Sequence, residues 1–102
     1  MLALIAAASV VVHGVVTIGP TSPVCREGAP CAKPAARVVM EFIQSSHLTM
    51  VTTDARGRYS VRLYPGTWTV VATRGVRTTP SRFIVRHVTS QRRDFALDTG
   101  IR

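Results

Sequence analysis

The chain has 102 residues, of which 46% are hydrophobic and 18% are charged, and its formal net charge is +8. This length limits the chain to one domain, and the hydrophobic content excludes an intrinsically disordered protein. The basic excess favours polyanionic partners: nucleic acid, anionic lipid or acidic cell-wall polymer. All but one of the 13 basic residues are arginine, a bias that a GC-rich coding sequence would also produce.

The chain opens with an apolar run over residues 1–12 that only Ser9 interrupts. The run is too short to span a bilayer, which takes ~20 residues. We interpret residues 1–8 as the remnant of a signal peptide, because Ala6, Ala7 and Ala8 are small residues of the kind that precede a cleavage site. No basic segment precedes the run, so a frayed first strand is the alternative. The domain then covers residues 9–102.

Val10–Ile18 alternates between two faces and is predicted to be the first strand. Gly14 in its middle predicts a bulge or a close approach of another backbone segment. His13 points to the opposite face, where we expect solvent.

A loop rich in proline follows over residues 19–36 and contains both cysteines, Cys25 and Cys31. The prolines argue against regular strand pairing. We predict a disulfide between Cys25 and Cys31, which would stabilise the fold by about 2.4 kcal/mol and would place the protein in an oxidising compartment. Free thiols are the alternative. A zinc site is disfavoured because no second cysteine pair or nearby histidine completes it, and the spacing differs from the redox motif C-x-x-C.

Six more segments alternate with period two and are separated by turn residues. They are Arg37–Ile43, Leu48–Thr53, the two strands on either side of the Pro65-Gly66 corner, Ser81–Val88 and Arg92–Leu97. All the aromatic residues except Tyr64 fall on the predicted core faces. Seven short strands at regular spacing predict a single antiparallel β-sandwich with Greek-key connections, which makes the fold class all-β.

The motifs D-x-x-G-x-Y-x-V-x-L and P-G-x-W-x-V-x-A, with an earlier G-x-V, resemble the carboxypeptidase regulatory-like domains. These are transthyretin-like or prealbumin-like sandwiches, close to the Cna-B repeats of surface proteins. The matching positions are Gly14, Val16, Asp54, Gly57, Tyr59, Val61, Leu63, Pro65, Gly66, Trp68, Val70 and Ala72. The opening at Gly19–Val24 and the ending at Asp98–Arg102 are similar to small secreted bacterial proteins of this fold. The resemblance implies an accessory or binding domain outside the cytoplasm, either secreted or in the cell envelope.

Three kinds of covalent chemistry are disfavoured by the residues present. The hydroxyisourate hydrolases of this fold end in Tyr-Arg-Gly-Ser, whereas this chain ends in Thr-Gly-Ile-Arg, and its histidines lie outside that family's motifs. No nucleophile-elbow motif holds a serine. An isopeptide cross-link needs an inward lysine, but Lys33 lies in the proline-rich loop and Glu41 faces outward. We therefore expect no enzyme activity, cofactor or metal.

Two binding hypotheses follow. The first is a structural or adhesive role at the cell envelope, in which an arginine-rich face meets an anionic polymer or another envelope protein. That face would comprise Arg62, Arg74, Arg77, Arg82 and Arg86. The second is a carbohydrate- or small-ligand-binding module that works through the loop ends, with Tyr64 as the contact. Nucleic acid is disfavoured because exposed aromatics are scarce, and the oligomeric state is left open.

Overall fold

Residues 9–19, 32–72 and 77–98 are described by the computed structural model. The predicted signal remnant at residues 1–8, the cysteines Cys25 and Cys31, and Arg74 lie outside the described residues.

Ten strand segments, packed as two sheets, make up the described part of the chain, and it contains no helix. The all-β sandwich is therefore confirmed. The strands are β1 (Val10–Gly19), β2 (Lys33–Pro34), β3 (Val39–Gln44), β4 (His47–Thr52), β5 (Arg58–Leu63), β6 (Gly66–Ala72), β7 (Arg77–Thr79), β8 (Arg82–Val85), β9 (Ser90–Arg92) and β10 (Phe95–Asp98).

The long strand β1 organises the first sheet, which we call sheet 1. Its first half pairs antiparallel with β5 along one edge and parallel with β9 along the other. Its second half pairs antiparallel with β2 and parallel with β10, and β10 carries β7 on its far side. Every other residue of β1 is thereby directed into the sandwich.

The second sheet, sheet 2, has the strand order β4-β3-β6-β8, and all of its pairs are antiparallel. Strands β3 and β4 form a hairpin with a two-residue turn at Ser45 and Ser46, and Ser45 has a φ of 51°. Strand β4 forms one edge of this sheet.

The core lies between the sheets and has an aromatic centre. The Phe42 ring is 5.9 Å from the Tyr59 ring and 6.0 Å from the Phe95 ring, and the Phe83 ring packs edge-on to Phe95 at 5.5 Å. Trp68 is 1% exposed, and its Nε1 donates a hydrogen bond of 2.8 Å to the Tyr64 carbonyl. The predicted core faces are therefore confirmed, because alternation with period two directs the apolar side chains of β1, β3, β5, β6, β8 and β10 inward.

Two short strands lie outside the segments that the sequence predicts to be strands. Strand β2 lies in the proline-rich segment at the edge of sheet 1, where Pro34 can be tolerated because an edge strand needs only one side of its ladder. Strand β7 lies in the segment that leads to Pro80, and it pairs with β10. The described residues form ten strand segments where the sequence predicts seven strands. The parallel pairs of β1 with β9 and β10 correct the prediction of a purely antiparallel sandwich.

The last two predicted strands are shorter than expected, for identifiable reasons. Strand β8 ends at Val85 because the Gln91 side chain takes over the neighbouring backbone groups: it accepts from the Arg86 amide at 2.9 Å and donates to the Ile84 carbonyl at 2.8 Å. The final predicted strand is divided into β9 and β10 because the backbone at residues 93–94 crosses over Gly14. The predicted close approach at Gly14 is thereby confirmed.

The turn that precedes β5 is held by one carboxylate. Oδ1 of Asp54 accepts hydrogen bonds from the Arg56 amide at 2.8 Å and from the Arg58 amide at 2.9 Å. Gly57 follows with a φ of 76°, a left-handed conformation that favours glycine. The bond from the Arg58 amide is the main reason that the pKa of Asp54 lies below its ordinary value.

Thr53 connects the two sheets through a buried hydroxyl. This hydroxyl accepts from the Val38 amide at 2.8 Å and donates to the Ala35 carbonyl. Ala35 in turn donates from its amide to the Val16 carbonyl of β1 at 2.8 Å. The chain between β2 and β3 is therefore held at a fixed position by side-chain and backbone bonds rather than by a ladder.

Candidate binding surface

The outer face of sheet 1 carries basic and polar side chains on β5 and β9, and the strand between them, β1, contributes His13 flanked by Val11 and Val15. Cross-strand register places Arg62 and Ser90 on either side of Val11, and Ser60 and Arg92 on either side of His13. Arg58 lies opposite Val15 at the next row. We call this set the basic face: Arg58, Ser60, Arg62, His13, Ser90 and Arg92.

The three arginines of the basic face form a triangle around His13. Rows on one face of a sheet are ~6.6 Å apart and neighbouring strands are ~4.8 Å apart, so the Cα atoms of Arg58, Arg62 and Arg92 are separated by ~12–13 Å. Nε2 of His13 lies 3.2 Å from the Ser90 hydroxyl oxygen. Side chains as long as arginine can therefore converge on one bound group above the central histidine.

Two of these arginines already have acidic neighbours. Nε of Arg58 is 3.3 Å from Oδ2 of Asp54, and a terminal nitrogen of Arg92 is 3.3 Å from Oδ2 of Asp94. All four side chains are about half exposed or more, so these ion pairs are weak and leave donors directed to solvent. Arg62 forms no ion pair with any described residue. The face thus carries a positive excess.

The position of Asp94 is fixed by the backbone of β1. Its Oδ1 accepts from the Val15 amide at 2.9 Å, and this bond is the main reason that the pKa of Asp94 lies below its ordinary value. The Arg93 amide donates to the His13 carbonyl at 2.8 Å, and the Tyr59 hydroxyl donates to the Arg93 carbonyl. Burial raises the pKa of that hydroxyl, and the Asp94 carboxylate adds to the shift. The basic face is therefore built on a rigid support.

The arginines that the sequence suggested do not share one face. Arg62 lies on the outer face of sheet 1, whereas Arg82 lies on the outer face of sheet 2, opposite Thr69. Arg77 lies on the edge strand β7, opposite Asp98, and Arg86 follows β8 and is exposed. This corrects the prediction of a single arginine-rich face, because segments adjacent in sequence belong to different sheets of the sandwich.

Sequence reasoning missed Arg58 and Arg92 as members of the basic face. Both occupy outward positions of alternating strands, and that signal was available from the sequence. Their proximity was not, because β5 and β9 meet only through β1, which lies between them.

Tyr64 lies at one end of the sandwich and is 48% exposed, as the sequence predicted. Its ring is 6.4 Å from the ring of His47, at an angle of 59°. The Pro65 carbonyl next to it accepts from the Gln44 side chain at 3.4 Å. This end therefore presents two exposed rings above a fixed corner.

A groove adjoins the basic face and has a volume of about 330 Å³. It is lined by Val15, Thr17, Thr79, Asp94, Phe95 and Ala96. Among residues 9–19, 32–72 and 77–98, no three histidine, cysteine or acidic side chains are placed to hold a metal ion. The same ranges contain no helix that is long and apolar enough to cross a membrane.

Comparison with known proteins supports the fold. No family model matches the chain, and no curated protein matches it. Among solved structures, the chain is similar to a DUF3823 family protein from Parabacteroides merdae, with a TM-score of 0.57 and 14% sequence identity. The match covers 90% of this chain and 47% of that protein, so this chain spans about half its length. At this identity the likeness shows a shared all-β fold and nothing about activity.

Proposed function

We propose that this protein is a non-catalytic binding domain that acts outside the cytoplasm, secreted or in the cell envelope, and attaches to an anionic polymer through the basic face. The observation that carries the proposal is the triangle of Arg58, Arg62 and Arg92 around His13 on one side of sheet 1. Each guanidinium is a planar donor suited to phosphate or carboxylate groups. A repeating anionic chain would contact several of them at once.

The neighbouring hydroxyls favour the same partner. Ser60 and Ser90 lie beside the arginines and can donate to the same anionic groups. Exposed charges of this kind are screened over ~8–10 Å at physiological salt, so attachment should weaken steeply as the ionic strength rises.

The experiment measures binding of the full chain to long-chain polyphosphate and to poly-L-glutamate, two probes that separate phosphate from carboxylate recognition. A variant with Arg58→Gln, Arg62→Gln and Arg92→Gln should lose at least ~10-fold in affinity for the preferred probe, which corresponds to ~1.4 kcal/mol. Binding that does not respond to salt would contradict the proposal.

The matched control removes the same charge elsewhere, by Arg37→Gln, Arg77→Gln and Arg86→Gln. These residues are exposed but lie outside the basic face. If the control variant loses as much affinity as the face variant, attachment reflects net charge alone and the basic face is not a site.

A second candidate function is a carbohydrate- or small-ligand-binding module at the Tyr64 end. The pair of exposed rings of Tyr64 and His47 favours it, because a sugar can stack on such rings. It predicts saturable binding to a neutral glycan that Tyr64→Ala weakens. An unchanged affinity would remove Tyr64 from the site.

We further propose that residues 9–102 form a carboxypeptidase regulatory-like domain with transthyretin-like, Greek-key topology. The four-stranded order of sheet 2 and the D-x-x-G-x-Y turn at Asp54 support this assignment. For the location, the supporting features are the apolar start of the chain and its two cysteines. Intact mass of the protein from cytosol, envelope and culture medium, before and after reduction, tests cleavage after Ala8 and a Cys25–Cys31 disulfide.

A further inference from the structure

The outer face of sheet 2 differs in character from the basic face. Its outward positions on β3, β4, β6 and β8 hold aliphatic side chains interspersed with threonines, Glu41 and Arg82. Leu48 is 56% exposed, Met50 59%, Ile84 62% and Val71 41%. We call this set, with the partly buried side chains beside it, the apolar face: Val39, Ile43, Leu48, Met50, Val71 and Ile84.

The apolar face is continuous over β4, β3 and β6, with Glu41 in its middle. Ile43 lies beside Leu48 of β4, and in the next row Glu41 lies between Met50 and Val71. Ile84 lies apart from these residues on β8, opposite Thr67, and the pair of Arg82 and Thr69 occupies the row between. In a sandwich the outward positions are ordinarily polar, so contiguous exposed aliphatic side chains mark an interaction surface.

Glu41 is the feature that identifies the partner. This carboxylate is half buried in the middle of the apolar face and has no ion pair with any described residue. Arg82 lies on the same face, two strands away on β8, and likewise has no ion pair with a described residue. A two-fold axis between two such faces, midway between these residues, places each Glu41 opposite Arg82 of the partner subunit. The face is thus complementary to itself, as a symmetric dimer requires.

The distribution of charge favours the same arrangement. A copy with a net charge of +8 repels a second copy. Stacking through sheet 2, however, places the two basic faces on opposite outer sides of four sheet layers, ~30 Å apart at ~10 Å per layer. That distance exceeds the Debye length of ~8 Å at physiological salt several-fold, so the repulsion between the basic faces is screened.

We infer that the apolar face is the interface of a symmetric homodimer, in which sheet 2 of one copy packs on sheet 2 of the other. The dimer leaves both basic faces free. This inference stands independently of what the basic face binds.

The size of the face sets the expected strength of the dimer. Four strands at ~4.8 Å and six residues at ~3.3 Å give a flat area of ~380 Å² per copy, which projecting side chains enlarge. Stable complexes bury about 800 Å² per partner, and weaker, transient ones bury less. The dimer is therefore expected to dissociate in the micromolar range, and to form fully only at higher concentration or on a surface that gathers several copies.

Sedimentation equilibrium of the full chain, from ~1 µM to ~500 µM, tests the inference over the range of micromolar dissociation constants. The mass should rise from that of the 11.1 kDa chain towards twice that value. Val71→Thr should raise the dissociation constant by ~10-fold. The matched control is Val88→Thr, because Val88 is also 41% exposed but lies in the turn after β8, and it should change nothing.

A charge exchange distinguishes this dimer from other assemblies. Glu41→Arg and Arg82→Glu should each weaken the dimer, and the double variant should restore it, because each contact then has the opposite polarity. A chain that stays monomeric at all concentrations overturns the inference. So does a dimer that survives both single charge variants, since that result indicates pairing through the edge of β4 instead. Circular dichroism verifies that each variant is folded.

Discussion

Replacement of Gly14 by alanine should destabilise the protein strongly, although the change adds one methyl group. A Cβ at this position would lie 2.8 Å from the Arg93 carbonyl carbon, closer still to its oxygen, and 2.7 Å from Oδ1 of Asp94. These atoms belong to the backbone crossing between β9 and β10 and to the carboxylate that anchors it. They cannot move aside without loss of the bonds they make.

The magnitude follows from those bonds. Displacement of the backbone at residues 93–94 should lower the free energy of unfolding by about 2 kcal/mol, as overpacking does. Loss of the bonds from the Tyr59 hydroxyl to the Arg93 carbonyl and from the Val15 amide to Asp94 adds about 1 kcal/mol each. Alanine restricts the unfolded chain more than glycine does, and this offsets about 0.5 kcal/mol of the loss in stability. We expect a net loss of about 3.5 kcal/mol, or ~15 °C in Tm for a domain of this size.

Urea denaturation monitored by Trp68 fluorescence measures this loss, because Trp68 is buried in the core. Tyr59→Phe supplies the second side of a double-mutant cycle. If Gly14→Ala acts by displacing the Arg93 carbonyl, Tyr59→Phe should destabilise the Gly14→Ala protein less than the parent. A loss below ~0.5 kcal/mol for Gly14→Ala, the level of an ordinary surface substitution, would refute the reasoning.

Three further predictions concern the supports of the fold. Thr53→Val keeps the shape but removes the partner of two buried backbone groups, so the free energy of unfolding should fall by about 3 kcal/mol in chemical denaturation. The pKa of Asp54 is lower in the folded state than in the unfolded chain. The stability that ionised Asp54 contributes is therefore complete above the ordinary carboxyl pKa and is lost as the pH falls through the folded-state pKa. Asp54→Asn should flatten the acid side of a plot of Tm against pH. Gln91→Leu frees the backbone after β8, and should increase amide exchange at Arg86 by at least ~10-fold relative to Gln91→Glu, which keeps the acceptor.

Much of the architecture follows from local pattern. The strand that carries Tyr59, Val61 and Leu63 alternates cleanly, and the structure buries these three side chains as predicted. The turn at Asp54 is also local, because a carboxylate bonds to amides two and four residues ahead. Such features need only neighbouring residues, and a sequence displays them directly.

Other elements could not be predicted from neighbouring residues alone. Strand β2 forms in a proline-rich segment because β1 offers it an open edge, and the break before β10 exists because the chain must pass over Gly14. The residues that share the binding surface could not be predicted from local sequence either. Arg62 was predicted to share a face with Arg82, yet the two lie on opposite sides of the sandwich.

The sequence by itself determined that the chain is a small, basic, all-β domain, which side of each strand is buried, and that Tyr64 is exposed. These properties depend on the two-residue period and on side-chain polarity, both of which are local. Only the tertiary structure decided which outward residues become neighbours. It brought Arg58, Arg62 and Arg92 together around β1, and it gathered the exposed aliphatic residues on sheet 2. The physical reason is that strand order and register are set by contacts between segments far apart in the chain, and a one-residue shift would reverse every face.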